Sequence, residues 1–386
     1  MRNNRIFLAA VLLVLLLLQL YVNNVFSLML LVTGIFLPVL SVLLGLRMHR
    51  CLRVRMDVPE TVDYGNREEA AIRLRLENTS RRSAAAVCGT LCLNNLLTGS
   101  SAARRFQSSV SGRSTRTLRF LPEDLEVGRT DVSVAHLYVT DLFHQVAFRL
   151  PLPPKDRFVV LPPELPVTVE TERSREIRGD SDQFSEQEPG PDPSELFDLR
   201  DYAPGDPVRA IHWKQTARQG RPQVREFSKP LTWSAVVLPE LTGTDPAARE
   251  AEAAYAWNLS LALLEAGVPH TLSWYSGAEG RLLSRNLSSV EDLELAGEAF
   301  LSAVPYETPD AALVNLLSSD AAGSGTTLFY LTPTLQSPAL PEAAVTLPVH
   351  ILAFGEPDLP PEEAEGLPVR FLPVRMTGAP ALNLYV

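Results

Sequence analysis

The segment Ile6–Val22, IFLAAVLLVLLLLQLYV, runs for seventeen residues without a charge. As a helix it is about 26 Å long at ~1.5 Å per residue, barely enough for a hydrocarbon core of about 30 Å. A second uncharged run, Val25–Leu46, follows Asn23-Asn24 and is interrupted only mildly by Gly34, Pro38 and Gly45. Arg2 and Arg5 precede the first run, while Arg47, Arg50, Arg53 and Arg55 follow the second. Basic flanks favour the cytoplasmic side, and a two-helix hairpin puts both flanks there, whereas a single pass does not. A cleaved signal peptide would need a small-residue cleavage site after the first run, and a second span comes instead. The expectation is a transmembrane helical hairpin over residues 1–50, in the bilayer through residues 6–46. Both termini and the soluble domains are then expected in the cytoplasm, on a two-pass plasma-membrane protein.

The chain has 386 residues, which sets a prior of two or three units. Its 31 prolines point to many loops, and its net charge of -10 argues against a general nucleic-acid binder. The three cysteines, Cys51, Cys88 and Cys92, form no pair of CxxC motifs. They read as buried thiols in a reducing compartment rather than as a disulfide or metal set.

Residues 51–165 read as a β-rich, immunoglobulin-like domain. Ala71–Asn78 (AIRLRLEN) alternates apolar and polar residues as a half-buried strand does. RTLRFLP, DVSVAHLYVTD and QVAFRLPL add short strands bounded by turns, a pattern that suggests a small antiparallel sandwich. Residues 166–193 are acidic and broken by Gly and Pro, and read as a linker. From residue 231 to 386 strands alternate with helices, the signature of a doubly wound α/β domain. Asp245-Pro246 starts a helix that Gly267 stops, with Ala253, Trp257, Leu261 and Leu264 on one face. Ser288-x-x-Glu291 reads as a capping box for the next helix. The predicted fold is thus a membrane hairpin, a β-sandwich-like domain and an α/β domain.

Most of the polar chemistry lies in residues 194–230, around YAPGDPVRAIHWKQTAR (Tyr202–Arg218). Ala203–Asp206 is a turn signature. Acids and bases interleave here, notably Arg200, Asp201, Asp206, Arg209, Lys214, Arg218, Arg225 and Glu226, and such spacing invites Arg–carboxylate pairs. An enzyme would use His212 as a general base oriented by Asp206 or Asp201, but no companion nucleophile signature accompanies it. A phosphate or nucleic-acid surface would rely on Arg209, Lys214, Arg218, Arg221 and Arg225 beside Trp213, whose charge the neighbouring acids largely cancel. Catalytic residues, cofactors and nucleic acid are accordingly not expected.

LRDYAPGDPVRAIHWKQTAR resembles the defining motif of the family known as domain of unknown function 58. Leu199, Arg200, Tyr202, Gly205, Asp206, Arg209, Ile211, Trp213, Lys214, Ala217 and Arg218 occupy its fixed positions, with Asp201 in place of Glu, and Val224–Phe227 extends the match. VTDLF (Val139–Phe143) is a phrase of the same family's β-rich domain. The resemblance implies a von Willebrand factor A-like α/β domain and a MoxR-type AAA+ ATPase as protein partner. It departs from that pattern where an A-type domain binds magnesium through Asp-x-Ser-x-Ser, one carboxylate and two hydroxyls. Here the segment reads Pro239-Glu240-Leu241-Thr242-Gly243, so no metal is expected. The motif residues, with Tyr202, Gly205, His212 and Trp213 among them, are read as a partner-binding or structural element. The favoured function is a membrane-tethered scaffold or adaptor. The alternatives are a metal-dependent ligand-binding module and an enzyme centred on Asp206 and His212.

Overall fold

A computed structural model describes residues 2–22, 24–170, 184–190, 196–201, 211–230, 235–243, 245–319, 326–354, 368–376 and 378–385. The chain divides into Met1–Pro163 with Leu301–Pro305 (unit 1) and Glu164–Phe300 with Tyr306–Val386 (unit 2).

Unit 1 begins with two helices, α1 (Arg2–Val22) and α2 (Val25–Met48), both long and apolar enough to cross a membrane. At 21 residues α1 is about 31 Å long, more than its uncharged run alone allows. Phe7, Leu20, Val25 and Phe36 are exposed, so this apolar surface is not the face of a soluble core helix. Gly34 lets the helices approach, since a Cβ there would lie 2.7 Å from Leu15 Cδ1. The side chains of Ser27 and Gln19 hydrogen-bond near the hairpin tip.

Nine strands follow: β1 (Leu52–Asp57), β2 (Thr61–Asp63), β3 (Ile72–Asn78), β4 (Ala84–Asn95), β5 (Ser101–Val110), β6 (Ser114–Phe120), β7 (Gly128–Thr140), β8 (Ala147–Arg149) and β9 (Asp156–Leu161). One sheet has the order β1-β3-β6 and the other β2-β9-β7-β4-β5, with β8 paired to β7. All pairs are antiparallel except β2 with β9. The alternation seen in the sequence becomes burial on β3, where Ile72, Leu74 and Leu76 are fully enclosed, and they share a core with Val87, Leu91, Val132 and Phe158. β7 is not the plain strand its sequence suggests. A bulge interrupts its pairing with β4, and His136 adopts φ 53° within it. The three thiols are free and only half-buried, not enclosed as their sequence suggests.

In unit 2 the stretch 166–193, read above as a linker, contains two strands, β10 (Val167–Glu170) and β11 (Phe184–Gly190). Polar sequences can pair this way because the ladder bonds are made by the backbone. Then come β12 (Leu196–Asp201), α3 (Trp213–Gln219), β13 (Gln223–Pro230), β14 (Ala235–Pro239), α4 (Pro246–Glu265), β15 (His270–Ser276), β16 (Arg281–Leu287) and α5 (Val290–Leu301). The chain continues with α6 (Ala311–Leu317), β17 (Thr327–Thr332), α7 (Leu340–Thr346), β18 (Val349–Phe354), β19 (Val369–Leu372) and β20 (Leu382–Tyr385). Two small sheets have the orders β10-β20 and β11-β13-β12.

The main sheet has the order β16-β15-β14-β17-β18-β19, and only the edge strand β16 runs antiparallel. Such a sheet, hidden on both faces, needs continuous apolar strands, and every residue of β14 and of β17 is buried. Asp245 caps α4 by accepting the Ala247 amide at 3.0 Å, and Gly267 (φ 72°) ends the helix turn as the sequence suggested. The inward face differs from the one expected. Ala251, Tyr255, Leu259 and Leu263 are enclosed, whereas Trp257, Leu261 and Leu264 are only half-buried. The α5 cap is also shifted by one residue. Asp292 accepts from the backbone of Ser288 and Ser289, and its own amide donates to Ser289 Oγ at 3.2 Å.

Among the residues that join the foot of the α1–α2 hairpin to unit 1's β-sheets, Asp141 makes the most hydrogen bonds. Its carboxylate accepts from Ser41 Oγ (2.9 Å) and from the amides of Phe143 (3.2 Å), Gln145 (2.7 Å) and Val146 (2.8 Å). Ser41 Oγ in turn accepts the Leu142 amide at 3.0 Å. Asp141 is 2% exposed, so each bond replaces water that the carboxylate has lost. Asp141→Ala should lower the unfolding free energy of unit 1 by about 3 kcal/mol, since several buried donors lose a charged acceptor together. Chemical denaturation of the detergent-solubilised chain checks this, and an unchanged midpoint would contradict it.

Candidate functional site

The motif segment forms a small platform in unit 2. β12 lies antiparallel to β13, with Arg200 opposite Val224, Leu199 opposite Arg225 and Asp198 opposite Glu226. Ile211 bridges to Val224, and the His212 amide donates to the Gln223 carbonyl at 2.7 Å. α3 starts at the next residue and is closed by Gly220, which adopts φ 68°. Thr216 Oγ1 accepts the Gln223 amide at 3.0 Å and fixes the helix to the strand. Gln223 and Val224 are buried beneath it. Trp213 is 64% exposed, an unusual position for so large an apolar side chain, and Lys214, Arg218 and Arg221 are exposed as well. His212 is half-buried. Tyr202, Gly205, Asp206 and Arg209 lie outside the described residues, as do the side chains of Arg200, Arg225 and Glu226.

A second cluster lies at the carboxyl ends of β14 and β17, where the doubly wound strand order reverses. Open α/β sheets place their ligand crevices at this position. Pro239 ends β14, and the Glu240 amide donates to the Leu331 carbonyl at 2.9 Å. The Glu240 side chain is completely buried. Its Oε1 accepts from Tyr306 Oη (2.8 Å) and the Ala312 amide (3.0 Å), and its Oε2 from Tyr330 Oη (2.9 Å) and the Leu313 amide (3.3 Å). Burial raises the Glu240 pKa, while the four donors pull it back. Burial and the neighbouring carboxylate raise both tyrosine pKa values, so the two phenols remain donors.

These residues do not fit a magnesium ion. Both Glu240 oxygens already accept two bonds each, Leu241 is buried, and Thr242 Oγ1 donates to the Tyr306 carbonyl at 2.9 Å. Gly243 turns the chain at φ 85°, and its carbonyl accepts from Arg249 Nη1. Among the described residues no group of three metal-ligating side chains exists. The arrangement acts as an internal cap: a buried carboxylate that ties the end of β14 to the start of α6. Tyr306 and Tyr330 are the site residues that sequence reasoning missed, because they lie 66 and 90 residues downstream of Glu240. Glu252 was missed as well. It sits on α4, fully buried, with neither oxygen hydrogen-bonded. An acid in the Ala-rich run AREAEAAYAW was the only signal for it.

Comparison with known proteins finds one family match, and it spans both of these regions. The family described as "Protein of unknown function DUF58" matches residues 198–257, which contain the α3 platform and the Glu240 segment. The match supports the DUF58 family. No curated protein matches the chain. Among solved structures, the chain is similar to the CARDB domain of a Pyrococcus furiosus protein in complex with di-metal ions. That similarity is 14% identical, covers 28% of this chain and 87% of the other, and has a TM-score of 0.22. A Pseudomonas fluorescens alkylpurine DNA glycosylase bound to abasic-site DNA is 16% identical over 28% of this chain and 30% of its own, with a TM-score of 0.20. Bacteroides uniformis β-glucuronidase is 10% identical over 79% of this chain and 33% of its own, with a TM-score of 0.17.

Glu252 gives the DUF58-matching segment a pH signature. Burial first, and then the nearby Glu240, push its carboxyl well above the ordinary 4.5, against the pull of Arg249. The native state therefore keeps a proton that the unfolded chain releases above about pH 4.5. The stability this provides is complete below that pH and is lost as the pH rises toward the folded-state pKa. Glu252→Gln, neutral at every pH, should gain on the native chain by on the order of 1 kcal/mol between about pH 5 and pH 8. Urea unfolding at both pH values reads this difference, and parallel pH dependences would contradict it.

Proposed function

We propose that the chain is a membrane-tethered scaffold or adaptor of the DUF58 type, held by a two-pass hairpin with its soluble units in the cytoplasm. Its platform on α3 engages a protein partner, and the family resemblance makes a MoxR-type AAA+ ATPase the first candidate. The exposure of Trp213 carries this reading. Inside a segment that matches the family, a large aromatic ring is held out on a helix pinned to β13, and Lys214, Arg218 and Arg221 are exposed in the same short segment. Trp and Arg are the side chains on which interface energy concentrates. The doubly wound strand order with an antiparallel edge supports a von Willebrand factor A-like α/β domain. The saturated Glu240 supports protein recognition without a bridging metal. A non-enzymatic role fits the fully committed acid at the crevice position.

The full chain, extracted in detergent and immobilised, should capture the purified ATPase. Trp213→Ala should weaken capture about thirtyfold, the size of an interface anchor of about 2 kcal/mol. Its unfolding free energy should stay within about 0.5 kcal/mol of the native one, because the ring is exposed. No capture by the native chain, or equal capture by the variant, would contradict the proposal.

A further inference from the structure

α1 and α2 are unequal at the foot of the hairpin. α1 turns polar at Arg5 and Asn4, which lie level with Ser41, since both ends touch the same loop. The Arg5 Nε donates to the Gln145 carbonyl at 2.8 Å, Asn4 Nδ2 to the Phe143 carbonyl at 3.3 Å, and Ser41 Oγ to Asp141. α2 continues apolar beyond that level through Val42, Leu43, Leu44, Gly45 and Leu46, about 8 Å further at 1.5 Å per residue. Leu43 and Leu46 are exposed. The place that α1 leaves beside this last stretch is filled by the loop Asp141–Val146 and by Phe148. A Cβ on Gly45 would stand 2.6 Å from the Phe148 ring and 3.4 Å from Asp141 Cβ.

The loop is built to be presented. Its backbone amides converge on the buried Asp141 carboxylate, its carbonyls are held by Asn4 and Arg5, and His144 adopts φ 54° with its ring against Thr140 Oγ1 at 2.8 Å. At its tip Leu142 is 60% exposed and Phe143 44% exposed, with no polar atom on either side chain. A rigid loop that displays two large apolar groups loses little conformational freedom on entering an apolar phase. Arg5, Arg47 and Arg50 stand at the same end of the hairpin, where lipid phosphates would meet them.

We infer that the Asp141–Val146 loop is a third membrane contact, with Leu142 and Phe143 inserted at the boundary between acyl chains and head groups beside the last turns of α2. This rests on the reading that α1 and α2 span the bilayer. The occupant is the lipid surface itself, because the patch is continuous with the apolar surface of α2 and lies where that surface leaves the hydrocarbon. Unit 1 would then be seated on the bilayer through this loop, not merely leashed to it.

The test uses the full chain with its native cysteines replaced by alanine, reconstituted into phosphatidylethanolamine–phosphatidylglycerol vesicles. A nitroxide is attached in turn at Leu142→Cys, Phe143→Cys, Leu28→Cys within α2, and Leu121→Cys. Leu121 follows β6 at the end of its sheet remote from α2, because Leu52 pairs with Asn78 and Ile72 with Phe120. Collision with oxygen and with a water-soluble nickel chelate reports the immersion of each label. The expected result is that labels at 142 and 143 exclude nickel at least fivefold better than the label at 121, and admit more oxygen. Nickel access at 142 and 143 equal to that at 121, with 28 excluded, would overturn the inference and leave the spanning reading intact. Nickel access at 28 as well would overturn both.

Discussion

Asp141 joins two parts of unit 1 that need different solvents. The helices α1 and α2 expose apolar side chains along their length, while the strands β1–β9 close around a core and expose polar residues. Backbone groups at such a joint cannot be left without partners once hydrocarbon is near. The carboxylate resolves this with four donors, one from α2 and three from its own loop, and with Ser41 passing a further bond back to Leu142. An anionic oxygen accepts several short bonds at once, which an amide or a hydroxyl in this place could not do. With Asn4 and Arg5 holding the loop's carbonyls, that group sets the shape of the loop and the display of Leu142 and Phe143.

Unit 2 uses a buried carboxylate differently. Where a doubly wound sheet ordinarily opens a crevice, Glu240 fills the position and is saturated by two phenols and two backbone amides. The site gains rigidity and gives up the capacity to bind a cation. Burial first, and the nearby Glu240 second, raise the proton affinity of Glu252 inside α4. The acidic chemistry at this end of the sheet is thus turned inward. The exposed and distinctive surface is instead the short helix α3, whose Trp213 carries the proposed recognition.

Features encoded by short-range patterns were legible in the sequence. The alternation of Ile72–Asn78, the Asp245-Pro246 start and Gly267 stop of α4, and the two apolar runs at the N-terminus each express a local rule. Local rules failed where two frames fit equally well. In Ser288-Ser289-Val290-Glu291-Asp292 both serines have an acid three residues on, and packing selects the Ser289 frame. The polar strand β11 was illegible because its pairing uses backbone groups that no side-chain pattern announces. The partners of Glu240 and Asp141 were illegible for another reason. A carboxylate in the sequence does not reveal which distant amides and hydroxyls converge on it, and Ser41 lies 100 residues from Asp141. The inward face of α4 was misjudged because a helix buried nearly all round has no single apolar stripe.

The account depends on the hairpin crossing the bilayer twice with unit 1's strands on the cytoplasmic side. Its most direct test is labelling with a membrane-impermeant maleimide in intact cells, using single cysteines in a chain whose native ones are replaced. Asn24→Cys at the hairpin tip should react in intact cells, and Ser109→Cys on the exposed face of β5 should react only after lysis. Reaction of Ser109→Cys in intact cells, or protection of both sites until lysis, would contradict the account.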